Sequence, residues 1–287
     1  SGKTNNTIKK KKKINGEIIN ADSMQVYKEL KILSARPLQK DFQKIKHHLY
    51  GFMSVKKKFS TGDWLKLVNK KIPYLKKRKK TPILVGGTGL YFKALTEGLV
   101  NIPNIPIKFR EKIRSLHKKL GAKKFFSKLK KLDPQIKNQL NFTDTQRSIR
   151  AYEVKLFTKK SIYDWFKNTK SNYQQKDFYK IYIDFPKNEL LRRINLRTKE
   201  MIKKGAILEV QKFNRIKAHK DKTASKAIGV NEVNEHIQKE IDINEVIKKI
   251  SIKTRQYAKR QRTWANGNMQ NWIKMNPNDL NKFLKKF

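Results

Sequence analysis

The sequence predicts an α/β fold: a parallel-sheet core, a helical domain inserted into it and a helical C-terminal region. A short Ile-rich strand is predicted within Gly16–Ser23, and a second apolar strand within Thr81–Gly89 stops at glycines. Between them, Phe59–Lys80 carries apolar residues at helical spacing. A strand, a helix and a strand in this order favour a parallel sheet, because parallel neighbours need a long crossover.

The inserted domain is predicted from a change in the hydrophobic pattern of the sequence near residue 100. Prolines interrupt the chain there, and Phe109–Leu120 then has apolar residues at steps of four, three and four, which is typical of an amphipathic helix. Lys180–Pro186 alternates as a strand, and we expect it to return to the first sheet. The predicted domains are therefore 1–100 and 179–287 for the core, and 101–178 for the helical insertion.

Further helices are predicted at both ends of the chain. Lys3–Lys13 is polar and compatible with a helix, and Leu190–Lys204 shows a helical pattern that ends at Gly205. Ile243–Ile250 has apolar residues at helical spacing, and Leu280–Phe287 closes the chain with one more amphipathic segment.

The charge balance indicates a polyanionic partner. The 287 residues contain 70 Lys and Arg against 23 Asp and Glu, which gives a net charge of +47. Such an excess favours a nucleic acid, a phosphorylated ligand or an anionic membrane surface. The alternative is a solvated surface: only 13 of the basic residues are Arg, and the abundance of Lys, Asn, Ile, Phe and Tyr is typical of AT-rich codon usage.

Several classes of protein are disfavoured by composition. The chain has no Cys, so disulfides, thiolate zinc sites and a cysteine nucleophile are excluded, and the five His show no metal-ligand spacing. No apolar run is long enough to span a bilayer, and no signal peptide opens the sequence. We expect a soluble, cytoplasmic protein.

The first four residues match the second half of the phosphate-binding loop G-x-x-x-x-G-K-[ST]. In that loop, backbone N–H groups and the Lys ammonium bind phosphate oxygens, and the Thr hydroxyl is a ligand of Mg²⁺. The first glycine and the strand before it are absent, so we expect the given sequence to lack the extreme N-terminus of the protein. Alone, the match could also be coincidental.

Two further elements follow predicted strands, where open α/β sheets bind their ligands. Asp22 comes directly after the first strand, and its alternative role is a helix cap or an Asx-turn. Gly86–Gly89 follows the second strand, and its glycines let a backbone approach a ligand or simply make a tight connection.

Two basic segments could bind phosphates. In Asp144–Glu153, Arg147 and Arg150 are three residues apart on one side of a predicted helix, and arginine forks suit diphosphate or RNA oxygens. In Thr254–Trp264, basic residues alternate with aromatic ones, which suits RNA phosphates and bases. The alternatives are a surface Arg–Glu network in the first segment and a solvated helix face in the second.

Taken together and in this order, these elements resemble the tRNA dimethylallyltransferase family. The resemblance spans nearly the whole chain at the family's spacing, and each string alone is far less specific than the set. The matching strings are SGKT (1–4), GEIINADSMQVYKEL (16–30), ARP (35–37), HHL (47–49), LVGGTGLYFKALTEGL (84–99), TQRSIRAYEV (145–154), KAIGVNEV (226–233) and TRQYAKRQRTW (254–264).

The resemblance implies a P-loop NTPase-like core with an inserted helical domain that binds tRNA. It implies transfer of a dimethylallyl group from dimethylallyl diphosphate to N6 of the adenosine at position 37, 3′ to the anticodon, in tRNAs that read codons beginning with U. Diphosphate is released and Mg²⁺ is the expected cofactor. The phosphate loop would hold an isoprenoid diphosphate without ATP hydrolysis, and the enzyme is expected to be a monomer.

Residue roles follow from the same resemblance. Asp22 matches the general base and Thr88 lies in the element beside the substrate channel. The diphosphate-binding residues are Ser1, Gly2, Lys3 and Thr4, with Thr4 as the Mg²⁺ ligand. The tRNA-binding residues are Asp22, Ser23, Met24, Gln25, Gln146, Arg147, Ser148, Ile149, Arg150, Lys259, Arg260, Gln261, Arg262, Thr263 and Trp264, and the segment Ser225–Gly229 also corresponds to a tRNA contact.

The chain departs from the family pattern at two places. Val230 and Asn231 follow Gly229 where the family has an aromatic and a basic residue, and Ala265 and Asn266 follow Trp264 where it has a basic residue. Other classes stay open on the residues alone: an adenylate isopentenyltransferase acting on a free nucleotide, a P-loop kinase, and a basic RNA-binding protein without catalytic activity. The inserted helices and the basic C-terminal segment favour tRNA over a free nucleotide.

Overall fold

The computed structural model describes residues 15–38, 42, 45–216 and 223–283. Ser1–Thr4 and the helix predicted over Lys3–Lys13 therefore lie outside the described residues. The chain divides into two compact units: Ser1–Ala94 with Gln175–Phe287, called the core unit, and Leu95–Gln174, called the helical unit. The sequence predicted a helical insertion over 101–178.

The first sheet of the core unit contains three parallel strands in the order β2-β1-β3. Its strands are β1 (Gly16–Asn20), β2 (His47–His48) and β3 (Thr81–Val85). Helix α1 (Thr61–Lys77) makes the crossover between β2 and β3, and its apolar face buries Trp64, Val68, Ile72 and Leu75. The strand–helix–strand prediction is confirmed, including the parallel pairing of β1 with β3.

Helix α1 begins at a capping box that the sequence encodes locally. Ser60 is the cap: its hydroxyl oxygen accepts from the N–H of Asp63 at 3.2 Å, and its own N–H donates to the Asp63 carboxylate at 2.9 Å. These bonds satisfy two backbone donors that a helix start leaves without partners. The helix end is followed directly by β3.

A second sheet pairs β4 (Ile181–Ile183) with β5 (Ile273–Met275) in parallel. The strand predicted in Lys180–Pro186 is present, but the expectation that it returns to the first sheet is wrong for the described residues. Its backbone is paired with β5: Ile273 N–H donates to Lys180 O and Asp184 N–H donates to Met275 O, both at 2.9 Å. Strand β5 itself was not predicted from the sequence.

Helix α2 (Gly89–Thr96) begins in the core unit, and its last two residues fall in the helical unit. The other helices of the core unit are α6 (Lys187–Lys203), α7 (Ala206–Arg215), α8 (Val230–Ile237), α9 (Ile243–Asn268) and α10 (Pro277–Phe283). Helices α6 to α9 contribute residues to one apolar cluster. The cluster joins the segment after β1, through Val26 and Leu30, to α7, α8 and α9, through Val210, Val233 and Ile250. Burying such side chains contributes about 25 cal/mol for each Å² removed from water. The prediction missed α7 and α8 as separate helices.

The helical unit contains α3 (Ile107–Leu132), α4 (Thr145–Thr158) and α5 (Ile162–Lys167). Its core includes Phe125, Leu129 and Val154, each fully buried. The helix predicted over Phe109–Leu120 is confirmed as part of α3. Gly121 interrupts α3 with φ 71° and ψ 168°, backbone angles that glycine adopts without steric cost. Short 3₁₀ turns cover Pro134–Ile136, Gln175–Asp177 and Thr223–Lys226.

Within the described ranges, no helix is both long and apolar enough to cross a membrane.

Candidate active site

The carboxyl ends of β1 and β3 form the floor of the candidate site. Ala21, just after β1, donates its N–H to Val85 O at 2.8 Å and accepts from the N–H of Thr88 at 3.1 Å. The chain after β1 and the glycine turn after β3 are thus joined beyond the last ladder pair. This is the edge where open parallel sheets bind ligands, and it brings together Asp22 and Thr88 as the sequence predicted.

The glycine turn, Gly86–Gly89, packs closely against the backbone of Ala21 and against the indole ring of Trp264. A Cβ on Gly86 would lie 2.0 Å from the carbonyl oxygen of Ala21, and a Cβ on Gly89 would lie 2.3 Å from the ring of Trp264. Both distances are far below van der Waals contact, so any side chain would force the strand ends and α9 apart. The turn therefore depends on glycine for close approach.

Asp22 is held in a small hydrogen-bonded turn. Its N–H donates to Asn20 Oδ1 at 2.9 Å, its carbonyl accepts from Asn20 Nδ2 at 3.0 Å, and its Oδ1 accepts from the N–H of Met24 at 2.9 Å. The Asx-turn considered from the sequence is therefore present. Its Oδ2 lies toward the glycine turn, 3.6 Å from where a Cβ on Gly87 would be. The turn orients the carboxylate at the ligand edge of the sheet.

Thr88 connects the glycine turn to the segment after Asp22. Its hydroxyl oxygen accepts from the N–H of Ser23 at 2.9 Å, and its O–H group donates to Ser23 Oγ at 3.2 Å. Both groups are partly buried. The Thr88 hydroxyl therefore helps to fix Ser23 beside Asp22.

Helix α9 contributes an inward face made of Gln261, Arg262 and Trp264. Gln261 Nε2 donates to Gly87 O at 2.7 Å, and Trp264 lies against Gly89. Arg262 donates to Asp184 Oδ1 at 2.9 Å and to Phe185 O at 2.8 Å, at the end of β4. These three of the six residues predicted to bind tRNA in Lys259–Trp264 are engaged in intramolecular contacts. The other three residues of this segment, Lys259, Arg260 and Thr263, are exposed.

Three tyrosines, Tyr50, Tyr91 and Tyr257, lie within the electrostatic influence of Asp22. Burial raises the pKa of Tyr50, and the negative charge of Asp22 raises it further. Burial is also the main cause of the raised pKa of Tyr91 and of Tyr257, with Asp22 acting in the same direction on both. A hydrogen bond with Gln261 opposes the rise at Tyr257. These phenols stay protonated at neutral pH.

Arg197 on α6 is a site residue that sequence reasoning missed. Burial lowers the pKa of its guanidinium, and the charge of Asp22 partly restores it. Its Nε is buried and has no hydrogen-bond partner among the residues described. A buried guanidinium with an unsatisfied donor suits an anionic ligand. The available signal was its residue type, since Arg is scarce in this Lys-rich chain.

Glu209 on α7 fixes the loop that follows the Asp22 segment. Its carboxylate accepts from the backbone N–H groups of Lys31, Ile32 and Leu33 at 2.8, 2.7 and 2.9 Å. Gln25 donates to Ser34 O at 3.0 Å on the same loop. The predicted tRNA-contacting residue Gln25 is therefore attached to a loop that α7 holds. Met24 is partly buried and packs against the apolar cluster of the core unit.

The segment Ser225–Gly229 ends at a glycine that its surroundings require. Gly229 has φ 105°, and a Cβ there would lie 2.5 Å from Leu33. Its N–H donates to the buried Glu232 carboxylate at 2.7 Å, which in turn is paired with Lys253. Val230 is one of the departures from the family pattern. It is buried in the apolar cluster of the core unit, where the family pattern has an aromatic residue.

The predicted tRNA-binding residues 146–150 lie on α4 of the helical unit. Gln146 and Arg147 are exposed, whereas Ser148 and Ile149 are buried in the core of this unit. Arg147 has a side chain 72% exposed and lies 3.9 Å from Asp144. Only part of this segment is therefore open to a ligand.

A buried glutamate organises the arginines of the helical unit. Glu153 is 1% exposed and its carboxylate lies 3.2 Å from Arg110, 3.4 Å from Arg150 and 3.9 Å from Arg114. One negative charge faces three positive charges, so this cluster has net positive charge. Arg150 and Glu153 were singled out from the sequence, whereas Arg110 and Arg114 were missed.

The described residues contain no group of three or more His, Cys, Asp or Glu side chains able to hold a metal ion. The sequence prediction of a Mg²⁺ ligand falls on Thr4, outside the described residues. A Mg²⁺ ion typically uses one or two protein ligands and takes the rest from water and substrate phosphates.

Comparison with known proteins agrees with this arrangement. Residues 25–268 match the family model described as IPP transferase. A tRNA dimethylallyltransferase from Pelagibacter ubique is 56% identical over 100% of this chain and 91% of its own length, and one from Rickettsia massiliae is 40% identical over 96% of this chain and 77% of its own.

Solved structures show the same fold. A full-length tRNA isopentenylpyrophosphate transferase from Bacillus halodurans aligns with TM-score 0.69 and 28% identity, covering 99% of this chain and 92% of that one. A eukaryotic dimethylallyltransferase captured acting on tRNA aligns with TM-score 0.82 and 25% identity, covering 97% of this chain and 72% of that one.

Proposed function

This chain belongs to the IPP transferase family, and we propose on that basis that it is a tRNA dimethylallyltransferase. The observation that carries the proposal within the site is the position of Asp22, whose carboxylate is oriented at the ligand edge of the first sheet beside a glycine turn. The proposed target is N6 of the adenosine at position 37, 3′ to the anticodon, in tRNAs that read codons beginning with U.

The reaction forms a C–N bond and breaks a C–O bond. The N6 nitrogen of adenine attacks C1 of dimethylallyl diphosphate, the C1–O bond breaks, and diphosphate leaves with the bonding electrons. An exocyclic amine is a weak nucleophile, so its proton must be removed as the C–N bond forms. Asp22 accepts this proton. The target base lies in a loop and is flipped out of its stack to reach the carboxylate, at a cost of a few kcal/mol.

The leaving diphosphate gathers negative charge and needs cationic partners. Lys3 of the phosphate loop supplies one, and we assign a second to Arg197, because its buried Nε lacks a partner among the described residues. Thr4 would hold Mg²⁺, which would supply positive charge for the leaving group. The raised pKa values of Tyr50 and Tyr91 keep these phenols neutral beside Asp22, so they add no negative charge near the diphosphate.

RNA binding is assigned to the exposed parts of the two predicted segments. In the core unit these are Lys259, Arg260 and Thr263, and in the helical unit they are Gln146 and Arg147. Exposed cations neutralise phosphates and release counterions. We therefore expect the affinity for tRNA to fall steeply as salt rises, and an affinity independent of salt would contradict this assignment. With tRNA as the substrate, the protein works in the cytoplasm.

Mass spectrometry of the RNA product tests the proposed function. The protein is incubated with dimethylallyl diphosphate, Mg²⁺ and either an unmodified anticodon stem-loop or AMP. The 287-residue chain is compared with the same chain preceded by a segment that supplies the first half of the phosphate-loop motif. We expect a gain of C5H8 on the adenosine 3′ to the anticodon.

The alternatives give different outcomes. A gain of C5H8 on AMP in preference to the stem-loop would support an adenylate isopentenyltransferase. No gain on either substrate, with retained RNA binding, would support a basic RNA-binding protein and overturn the proposed function. Replacement of the stem-loop adenosine by inosine, which lacks the exocyclic amine, is the matched substrate control and should receive no C5H8.

A further inference from the structure

Asn20 is a buried polar residue at the end of β1 that no predicted role accounts for. Its side chain is fully buried, and in the sequence Asn20 follows Ile18 and Ile19 and stands two residues before Asp22. Asn is disfavoured in strands, and a local conflict of this kind often marks a functional constraint. Its contacts explain why it is tolerated there.

The side-chain amide of Asn20 uses each of its hydrogen-bonding groups on the backbone. Oδ1 accepts from the N–H of Asp22 at 2.9 Å. Nδ2 donates to the carbonyl oxygens of Asp22 and of Leu49, each at 3.0 Å. Only an amide side chain offers one acceptor and two donors in this geometry. One side chain therefore holds Asp22 on both sides of its Cα.

The backbone of Asn20 is also held in place. Its backbone carbonyl oxygen accepts from the indole N–H of Trp64 at 2.8 Å, and Trp64 is stacked on Tyr91 with ring centroids 4.4 Å apart. Leu49, which supplies the second carbonyl, follows β2 in the left-handed conformation with φ 63°. The turn of Asp22 is thus attached to β1, to α1 and to the segment after β2.

We propose that Asn20 is a positioning residue for the transfer reaction, which acts by fixing the backbone of Asp22 and hence the direction of its carboxylate. This inference rests on the proposed function of Asp22 as the base. Beyond Ala21 the chain has left the β1–β3 ladder, so the amide replaces strand pairing at the residue that does the chemistry. A displacement of about 1 Å at a reacting group can lower a rate about 100-fold.

A double-mutant cycle distinguishes positioning from a general contribution to stability. Asn20→Ala removes all three hydrogen bonds, and Asn20→Ser replaces the amide by a shorter hydroxyl without introducing a charge. Each is combined with Asp22→Asn. The measured quantities are the single-turnover rate constant for transfer to the stem-loop, the Kd for the same RNA, and the midpoint of urea unfolding.

We expect each Asn20 variant to lower the single-turnover rate constant by about 10- to 100-fold, with the Kd for RNA unchanged within about twofold. In the Asp22→Asn background, the same substitution should cause little further loss, because the carboxylate that Asn20 orients is already gone. The cycle can be read from Asn20→Ser alone, should Asn20→Ala prevent folding.

Ser161→Ala is the matched control. Ser161 is also a fully buried polar residue, and its hydroxyl oxygen accepts from the N–H of Tyr163 at 3.3 Å as the cap of α5 in the helical unit. We expect this substitution to lower stability and to leave the rate constant within about twofold, since Ser161 shares no hydrogen-bond partner with Asn20 or Asp22.

Two results would overturn the inference. One is an Asn20 variant with an unchanged single-turnover rate constant. The other is an Asn20 substitution that lowers this rate constant by the same factor in the Asp22→Asn background as in the unsubstituted protein. Absence of transfer by the unsubstituted protein with its loop completed is a separate result, because it would reject the proposed function itself and with it the role of Asn20.

Discussion

Two helical segments were predicted to contact tRNA, and they use their residues differently. In Lys259–Trp264 of the core unit, three of six side chains turn inward to hold the glycine turn and the end of β4. In residues 146–150 of the helical unit, the inward side chains Ser148 and Ile149 join an apolar core, and Arg150 reaches a buried carboxylate. The inward side chains of Lys259–Trp264 therefore contact the candidate active site, whereas those of residues 146–150 pack in the interior of the helical unit.

The comparison shows that neighbours in sequence have separate functions when they lie on a helix. A helix places successive residues about 100° apart, so a basic run is divided between a buried and an exposed face. Arg262 and Arg260 illustrate this, since one is tied to Asp184 and the other is exposed beside Tyr257. Substitutions on the two faces should therefore fail in different ways.

The largest effect is expected at the buried carboxylate below the second segment. Glu153→Ala removes the one buried carboxylate that faces Arg110, Arg114 and Arg150, and because these arginines are partly exposed we expect a loss of about 1.5–3 kcal/mol, as for hydrogen bonds to charged groups. Urea unfolding would measure this loss. Glu111→Ala removes an exposed carboxylate from the same unit and should change stability by no more than about 0.5 kcal/mol. Equal effects of the two substitutions would refute the distinction.

A smaller loss of stability is expected on the inward face of the first segment. Arg262→Ala removes the two hydrogen bonds to Asp184 and Phe185, which contribute about 1–2 kcal/mol at this half-exposed position. Arg260→Ala is the control on the outward face of the same helix and should unfold at the same urea concentration as the unsubstituted protein. An RNA-binding defect in Arg262→Ala without any loss of stability would show that the structural role assigned to it is wrong.

The outward face of the first segment should affect binding and spare the fold. Lys259→Gln with Arg260→Gln removes two exposed cations, so the slope of log affinity against log salt should fall by about 1 for each phosphate that is no longer neutralised. Filter binding of the stem-loop at several salt concentrations measures the slope.

A charge-matched control for this pair lies at the end of α6. Lys203→Gln with Lys204→Gln also removes two exposed cations, but from a segment that was not predicted to contact RNA. This control should leave the salt slope unchanged. The same fall in slope for both double variants would mean that the effect comes from overall charge and not from the outward face of α9.

The smallest effect overall is expected for Arg147→Ala in the second segment, because it removes a single exposed cation. Its exposed pair with Asp144 is 3.9 Å long and contributes at most about 1 kcal/mol. The substitution should weaken tRNA binding or diphosphate handling while the urea midpoint stays unchanged. Unaltered kinetics and affinity in the purified variant would remove Arg147 from the binding surface.

Much of the fold followed from local signals in the sequence. The apolar runs in β1 and β3 and the helical spacing of apolar residues in α1 and α3 predicted these elements, because buried segments are recognisable from their hydrophobic pattern. The pairing of β4 with β5 could not be read in this way, since β5 has only three residues and its partner is distant in sequence. Short strands take their identity from tertiary contacts.

The candidate site was predictable where a residue type is unusual for its position. Asp22 after a strand and glycines after β3 are such signals, and the family resemblance assigned their roles. Arg197 and Asn20 were missed, because their importance depends on burial and on partners that only the folded chain brings together. Ser148 and Ile149 matched the family strings, yet their side chains are buried in a core.

Replacing the base while keeping the RNA surface intact tests the central claim most directly. Asp22→Asn is compared with the unsubstituted protein, both with the phosphate loop completed, for the Kd of the anticodon stem-loop and for the gain of C5H8 in a single turnover. We predict an unchanged Kd and a rate about 100- to 10,000-fold lower, as expected when a general base is lost. A rate that stays the same would contradict the assignment of Asp22 and the division between a reacting edge and an RNA-binding surface.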